Sequence, residues 1–240
     1  HVSVWKHRIA TLNRHESFRE FTYQINGTDG RKYWLSVNGN PRFDDAGNFI
    51  GYHGTASDIT LRIEAEERFR HLAYHDTLTR LPNRRLLADR LEQAVRNAAR
   101  NNHRVALLLI DLDGFKKVND RHGHAAGDRV LEAVAARLRE IVRETDTIAR
   151  MGGDEFVVLL PEIASTDDAV IVADKVHAAI NDPIADGAHL HSVGSSIGIS
   201  IYPDHGDSAE ALLHRADHAM YHGKTSGGKT TRLFDASSLN

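Results

Sequence analysis

The chain contains no cysteine, so a disulfide framework and a thiolate metal site are both excluded. That absence suits a reducing compartment, and a cytoplasmic location is expected, with any membrane anchor of the parent protein lying upstream. No run of about 18 apolar residues occurs, so no segment in this fragment reads as a membrane span. Charge of one sign is also missing: Lys and Arg number 30 against 33 Asp and Glu, a net charge of −3. No global basic field therefore argues for nucleic acid or an anionic membrane, although a locally positive pocket stays open. The chain starts at His1 without an initiator methionine or a charged-then-apolar leader, and reads as a piece of a longer protein. What is present is ordinary for a globular protein: 240 residues, 41% hydrophobic and 26% charged, room for one large domain or one domain plus part of another.

Residues 1–60 are rich in aromatics and turn residues. Segments near YQI, KYWLSV and FIGYHGTAS are separated by Asn-Gly, Asp-Gly and Ala-Gly signals, which predict antiparallel strands joined by hairpins in a thin, incomplete domain. From Asp58 the composition turns charged and helix-favouring. Leu61, Ala65, Phe69 and Leu72 form one apolar stripe, predicting a connector helix over 61–75, either packed or a short coiled coil. Pro82-Asn83 marks a break before a helix. VALLLIDLD (105–113) reads as a strand buried on both faces, and 127–142 as an amphipathic helix. TIARM and EFVVLLP read as strands joined at Gly152-Gly153; a helix, a strand, a helix and a short strand at TRLF follow. The order predicts an α+β sandwich over 76–235, with helices covering a mostly antiparallel sheet, and a linker beginning at 236–240.

The chemistry concentrates in carboxylates beside apolar runs. Asp111 and Asp113 close the buried strand, and Asp154 and Glu155 stand at the Gly-Gly turn. A carboxylate near a core needs a partner: a metal ion, a nucleotide phosphate or a plain salt bridge. Acids from neighbouring strands suit Mg²⁺, which takes its remaining ligands from water and substrate phosphates. Lys116 can neutralise phosphate; Asn119 and Asp128 can read a guanine edge. Against this, strand-end acids are often merely solvated, and Asp128 at a predicted helix start can simply be a cap. The HGH run at 122–124 lacks partners at zinc-finger spacing.

The stretches DTLTRLPNRR (76–85), LLLIDLDGFKKVNDRHGHAAGDRVL (107–131), ARMGGDEFVVLLPE (149–162), SSIGISIYP (195–203) and ADHAMYHGK (216–224) together resemble a GGDEF-type diguanylate cyclase domain. The resemblance implies a palm-like fold with a ferredoxin-like core, as in nucleotidyl cyclases, and condensation of two GTP into cyclic di-GMP and two pyrophosphates by a homodimer. It implies Mg²⁺ (or Mn²⁺) on Asp111, the Leu112 carbonyl and Asp154. Glu155 becomes a ligand or the base for the 3′-hydroxyl. Asn119 and Asp128 hold guanine; Phe115, Lys116, Lys224, Gly152 and Gly153 complete the substrate site. The chain departs from the family pattern at Met151, often aromatic, and at Gly228, often basic, where Lys229 follows.

Arg143 and Asp146 stand at the spacing of the family's R-x-x-D product-inhibition site, making cyclic di-GMP both expected product and inhibitor; the alternative is a surface ion pair of little consequence. Residues 1–60 resemble the C-terminal half of a PAS sensor, whose ligand is unknown, and TRLFDASSLN resembles the link to an EAL phosphodiesterase. A second reading is therefore a catalytically weak module that binds GTP or cyclic di-GMP and controls such a neighbour. A polymerase or adenylyl cyclase relative shares the palm logic but not the guanine-suited pair.

Overall fold

The computed structural model describes residues 9–187, 189–225 and 229–236. Gly228 and residues 237–240 of the linker expected at 236–240 lie outside them, as do residues 1–8. The chain divides into two compact units, 1–71 and 72–240.

The first unit carries the three expected strands, β1 (Phe18–Asn26), β2 (Lys32–Phe43) and β3 (Phe49–Asp58), in an antiparallel meander with β2 central. Polar turn chemistry closes its hairpins. The Asp44 carboxylate, for example, accepts from the Ala46 and Asn48 main-chain N–H groups. Helix α1 (Thr60–Tyr74) opens where the Asp58 carboxylate accepts from the Thr60 N–H and hydroxyl. None of its residues is buried, and the predicted stripe stands in the open: Leu61 is 82% exposed and Phe69 72%.

The second unit is an α+β sandwich. Its sheet runs β10-β9-β4-β6-β5, with β4 (Arg104–Asp113) at the centre, β5 (Thr147–Gly152), β6 (Glu155–Ile163), β9 (Gly194–Tyr202) and β10 (Thr231–Leu233). All neighbours are antiparallel except β10, which lies parallel to β9. Because side chains alternate along a strand, β4 feeds two cores at once. Ala106, Leu108, Ile110 and Leu112 pack with α4 (His124–Ile141) and α5 (Thr166–Asn181). Val105, Leu107 and Leu109 pack with α2 (Arg84–Asn101) and α6 (Ala209–Thr225). Leu107 and Leu108 are both fully buried, and each contributes roughly 1.5–3 kcal/mol. Truncating either to alanine would cost about 2–5 kcal/mol. Helices thus cover both faces, which is why the strand reads as an unbroken apolar run.

Three features differ from the sequence expectation. A separate helix, α3 (Phe115–His122), follows β4, and α4 begins at His124 rather than 127. Its N-cap is Gly123, so Asp128 lies in the second turn and is exposed instead of capping. A small hairpin, β7 (Ile184–Asp186) and β8 (His189–His191), also precedes β9.

Candidate active site

The register of the central strands makes the site. Asp111, third from last in β4, pairs with Glu155, the first residue of β6, and the Leu112 N–H donates to the Asp154 carbonyl at 3.3 Å. Two strands therefore deliver Asp111, Leu112, Asp154 and Glu155 to one edge. The turn between β5 and β6 is held by Gly152 (φ +142°) and Gly153 (φ +52°), conformations that a side chain would strain.

Burial sets the electrostatics of this edge. Asp111 is nearly buried, and Lys224 Nζ from α6 lies 2.6 Å from its Oδ1. The contact pairs the two charges at close range. Desolvation raises the Asp111 pKa above the usual carboxylate range, with Asp154 and Asp113 adding to it against the pull of Lys224. Glu155 is raised as well, first by burial and then by Asp111, Asp217 and Asp154. The edge is thus an under-neutralised cluster of acids around one lysine. Asp113 is engaged elsewhere: its carboxylate accepts from Ser196 Oγ at 2.9 and 3.0 Å and from the Lys229 N–H at 2.9 Å.

A second group gathers where α3 crosses α4. Phe115 is buried at the start of α3 and Asn119 lies one turn on. Gly127 lets the helices approach: a Cβ there would sit 2.0 Å from Asn119 Oδ1 and 3.1 Å from the tip of the Phe115 ring. Asp128 is the next residue, and Lys116 is exposed on α3. Arg143 and Asp146 lie in the loop between α4 and β5. There the Asp146 carboxylate accepts from the Arg143 main-chain N–H at 2.9 Å, and the Asp146 N–H donates to the Arg143 carbonyl at 3.0 Å, closing a turn.

Residues 73–230 match the family described as "Diguanylate cyclase, GGDEF domain". The chain belongs to this family. Its C-terminal unit is similar to the diguanylate cyclase TpbB of Pseudomonas aeruginosa, 48% identical over 165 residues, which make up 68% of this chain and 38% of that protein. The chain therefore spans well under half the length of this curated relative. The solved GGDEF domain of TpbB is 46% identical, with a TM-score of 0.67 over 69% of this chain and 96% of that one. A microbial GGDEF domain studied with bis-(3,5)-cyclic di-GMP is 32% identical, with a TM-score of 0.61 over 69% of this chain and 99% of its own.

The GGDEF turn has a brace that local sequence pattern does not announce. Arg150 Nε and Nη2 donate to the Gly153 carbonyl at 3.1 and 2.8 Å, while Nη1 donates to both Asp76 oxygens at 3.1 Å. The Asp76 carboxylate also accepts from the Thr79 N–H and hydroxyl at 2.7 Å. Burial works against its charge, but the Thr79 and Arg150 bonds outweigh it and hold the carboxyl below its ordinary range. The Arg150 N–H donates to the Pro82 carbonyl, completing the link between segment 76–83 and the turn.

Proposed function

We infer that the GGDEF domain of this chain condenses two molecules of GTP into cyclic di-GMP, releasing two pyrophosphates. The observation that carries this reading is the nearly buried Asp111 carboxylate, its pKa raised despite Lys224 beside it, in a row with Asp154 and Glu155. Family membership and the similarity to TpbB support the same reaction.

The donor set fits a hard divalent cation. Among the described residues no three His, Cys, Asp or Glu side chains gather closely enough to hold a metal by themselves. Two carboxylates and a carbonyl suit instead an ion that keeps waters and takes phosphate oxygens. Mg²⁺ (or Mn²⁺) would be held by Asp111, the Leu112 carbonyl and Asp154, and when bound it would offset triphosphate charge. Asn119 and Asp128 orient guanine at the α3–α4 crossing. Lys116 and Lys224 draw the phosphates, with Lys224 exchanging its Asp111 contact for phosphate. Glu155 has a raised affinity for protons in the folded domain and receives the proton of the attacking 3′-hydroxyl. Rate enhancement then comes chiefly from positioning and electrostatics. Each domain holds one GTP, so catalysis needs a homodimer.

Regulation follows from the flanking elements. Residues 1–60 act as the C-terminal half of a PAS sensor, and α1 transmits its state by changing how two cyclase domains face each other. Arg143 and Asp146 bind product and inhibit. The test incubates purified protein with GTP and Mg²⁺ at high concentration and measures pyrophosphate and cyclic di-GMP, with Asp154→Ala as control. Product formed by the parent and not by Asp154→Ala is the expected result. GTP binding without product would make the domain a regulatory module instead.

A further inference from the structure

Beside the carboxylate edge, on the same unit, lies a cavity of about 680 Å³ bounded by α3, the β7–β8 hairpin and the β8–β9 connection. Its size falls within the ordinary range for small-molecule sites. Its polar wall is cationic. Lys117 and Arg121, four residues apart, project from one face of α3, and Lys229 comes from the segment before β10. None of the three has a carboxylate partner among the described ion pairs. The one acid in the wall, Asp113, already accepts from Ser196 and from the Lys229 N–H. The other wall is apolar, built from Val118, Leu190 and Val193, and Leu190 is 71% exposed at the rim.

Three unpaired cations facing one concave space concentrate positive potential in a chain whose net charge is negative. Arg in particular forks onto phosphate oxygens. The hairpin forming the far wall is anchored: Arg129 Nε pairs with Asp186 at 2.6 Å, and Asp186 in turn meets the fully buried His191 at 3.2 Å. The cavity is therefore built by packed elements on both sides.

We propose that this cavity binds a phosphate-bearing anion, its phosphate on Lys117, Arg121 and Lys229 and any organic portion against Val118 and Leu190. The site stands on its own geometry and does not depend on the cyclase reading. The probes are inorganic pyrophosphate and AMP, an adenine nucleotide being chosen to spare guanine-selective groups. Each is titrated by calorimetry without divalent metal into the whole chain, into Lys117→Glu/Arg121→Glu, into the milder Lys117→Gln/Arg121→Gln, and into Asp154→Ala. Saturable binding that weakens at least tenfold in the folded charge variants and is unchanged in Asp154→Ala supports the site. If AMP binds much more tightly than pyrophosphate, the ligand carries an organic group; equal affinities assign recognition to phosphate alone. No saturable binding of either probe, or equal binding by parent and charge variants, overturns the proposal. A parent chain that binds the probes but forms no cyclic di-GMP from GTP and Mg²⁺ would refute the proposed function and leave this site standing.

Discussion

Replacing Asp76 with alanine removes a partly buried charge from the centre of the brace under the GGDEF turn. The two partners, Asp76 and Arg150, are only 20% and 12% exposed, so solvent screens their pairing weakly. The substitution deletes two acceptor bonds from Thr79, each worth about 0.5–1.5 kcal/mol, and a charge-assisted bond from Arg150 worth about 1.5–3 kcal/mol. Arg150 keeps the Gly153 carbonyl, which moderates the penalty of leaving it without a counter-charge. The expected loss is about 3 kcal/mol. For a unit of this length that lowers Tm by about 6–12 °C, at roughly 2–4 °C per kcal/mol. Thermal denaturation followed by circular dichroism measures it directly. Combining Asp76→Ala with Arg150→Met in a double-mutant cycle should give a coupling of about 1–3 kcal/mol. The pH dependence has a definite sign. The folded carboxyl is held below its unfolded value, so its contribution is complete above about pH 4 and fades as pH falls toward the folded pKa. Parent and variant should therefore converge in strong acid. A loss under about 1 kcal/mol at pH 7, or strict additivity with Arg150→Met, would refute the brace.

Other perturbations have equally definite outcomes. Asp111→Asn should abolish cyclase activity yet raise Tm in metal-free buffer at pH 7 by about 2–4 °C, equivalent to roughly 1 kcal/mol. The folded pKa of Asp111 is raised, so ionisation costs stability as pH climbs through the unfolded value near 4; the gain should vanish in acid, and a lower Tm at pH 7 would contradict the electrostatics. Gly127→Ala should weaken GTP binding by about tenfold by displacing Asn119, with stability changed by less than about 1 kcal/mol. The helix gains roughly that much from alanine, and the obstructing atom is the end of a flexible side chain; unchanged GTP affinity would remove Asn119 from the site. Arg143→Ala should raise the cyclic di-GMP concentration needed for half inhibition at least tenfold with kcat unchanged, and equal inhibition of parent and variant would dismiss that site.

The legible parts of this chain are those whose physical cause is local. An apolar run closed by acids predicts β4, because a strand covered on both faces needs no polar alternation until it reaches the rim. The Gly-Gly pair predicts the turn, because the backbone there needs positive φ at Gly152 and Gly153. Helix α3 escapes notice because only Phe115 and Val118 are buried along its eight residues, too few to set a period. The three-residue strands β7 and β8 offer even less. The Arg150–Asp76 brace joins residues 74 apart, and no spacing rule reaches across that distance. Spacing also leaves a helix cap open as the alternative role for Asp128, whereas α4 starts one turn earlier and leaves that carboxylate exposed.

Lys224 occupies the most informative position of all. A single ammonium stands among acids whose folded pKa values are raised despite it, so its attraction is smaller than the combined effect of burial and mutual repulsion at Asp111 and Glu155. A salt bridge built for stability would show the opposite balance, as Asp76 does beside Arg150. The same fold thus contains one carboxylate fully satisfied by protein groups and, at the neighbouring strand ends, carboxylates left wanting. Desolvated acids lacking sufficient cations destabilise the folded state, and folding tolerates them when an external ligand supplies the missing positive charge. The deficit at Asp111 is the feature on which the proposed cation-dependent chemistry rests, and the Asp111→Asn measurement tests it.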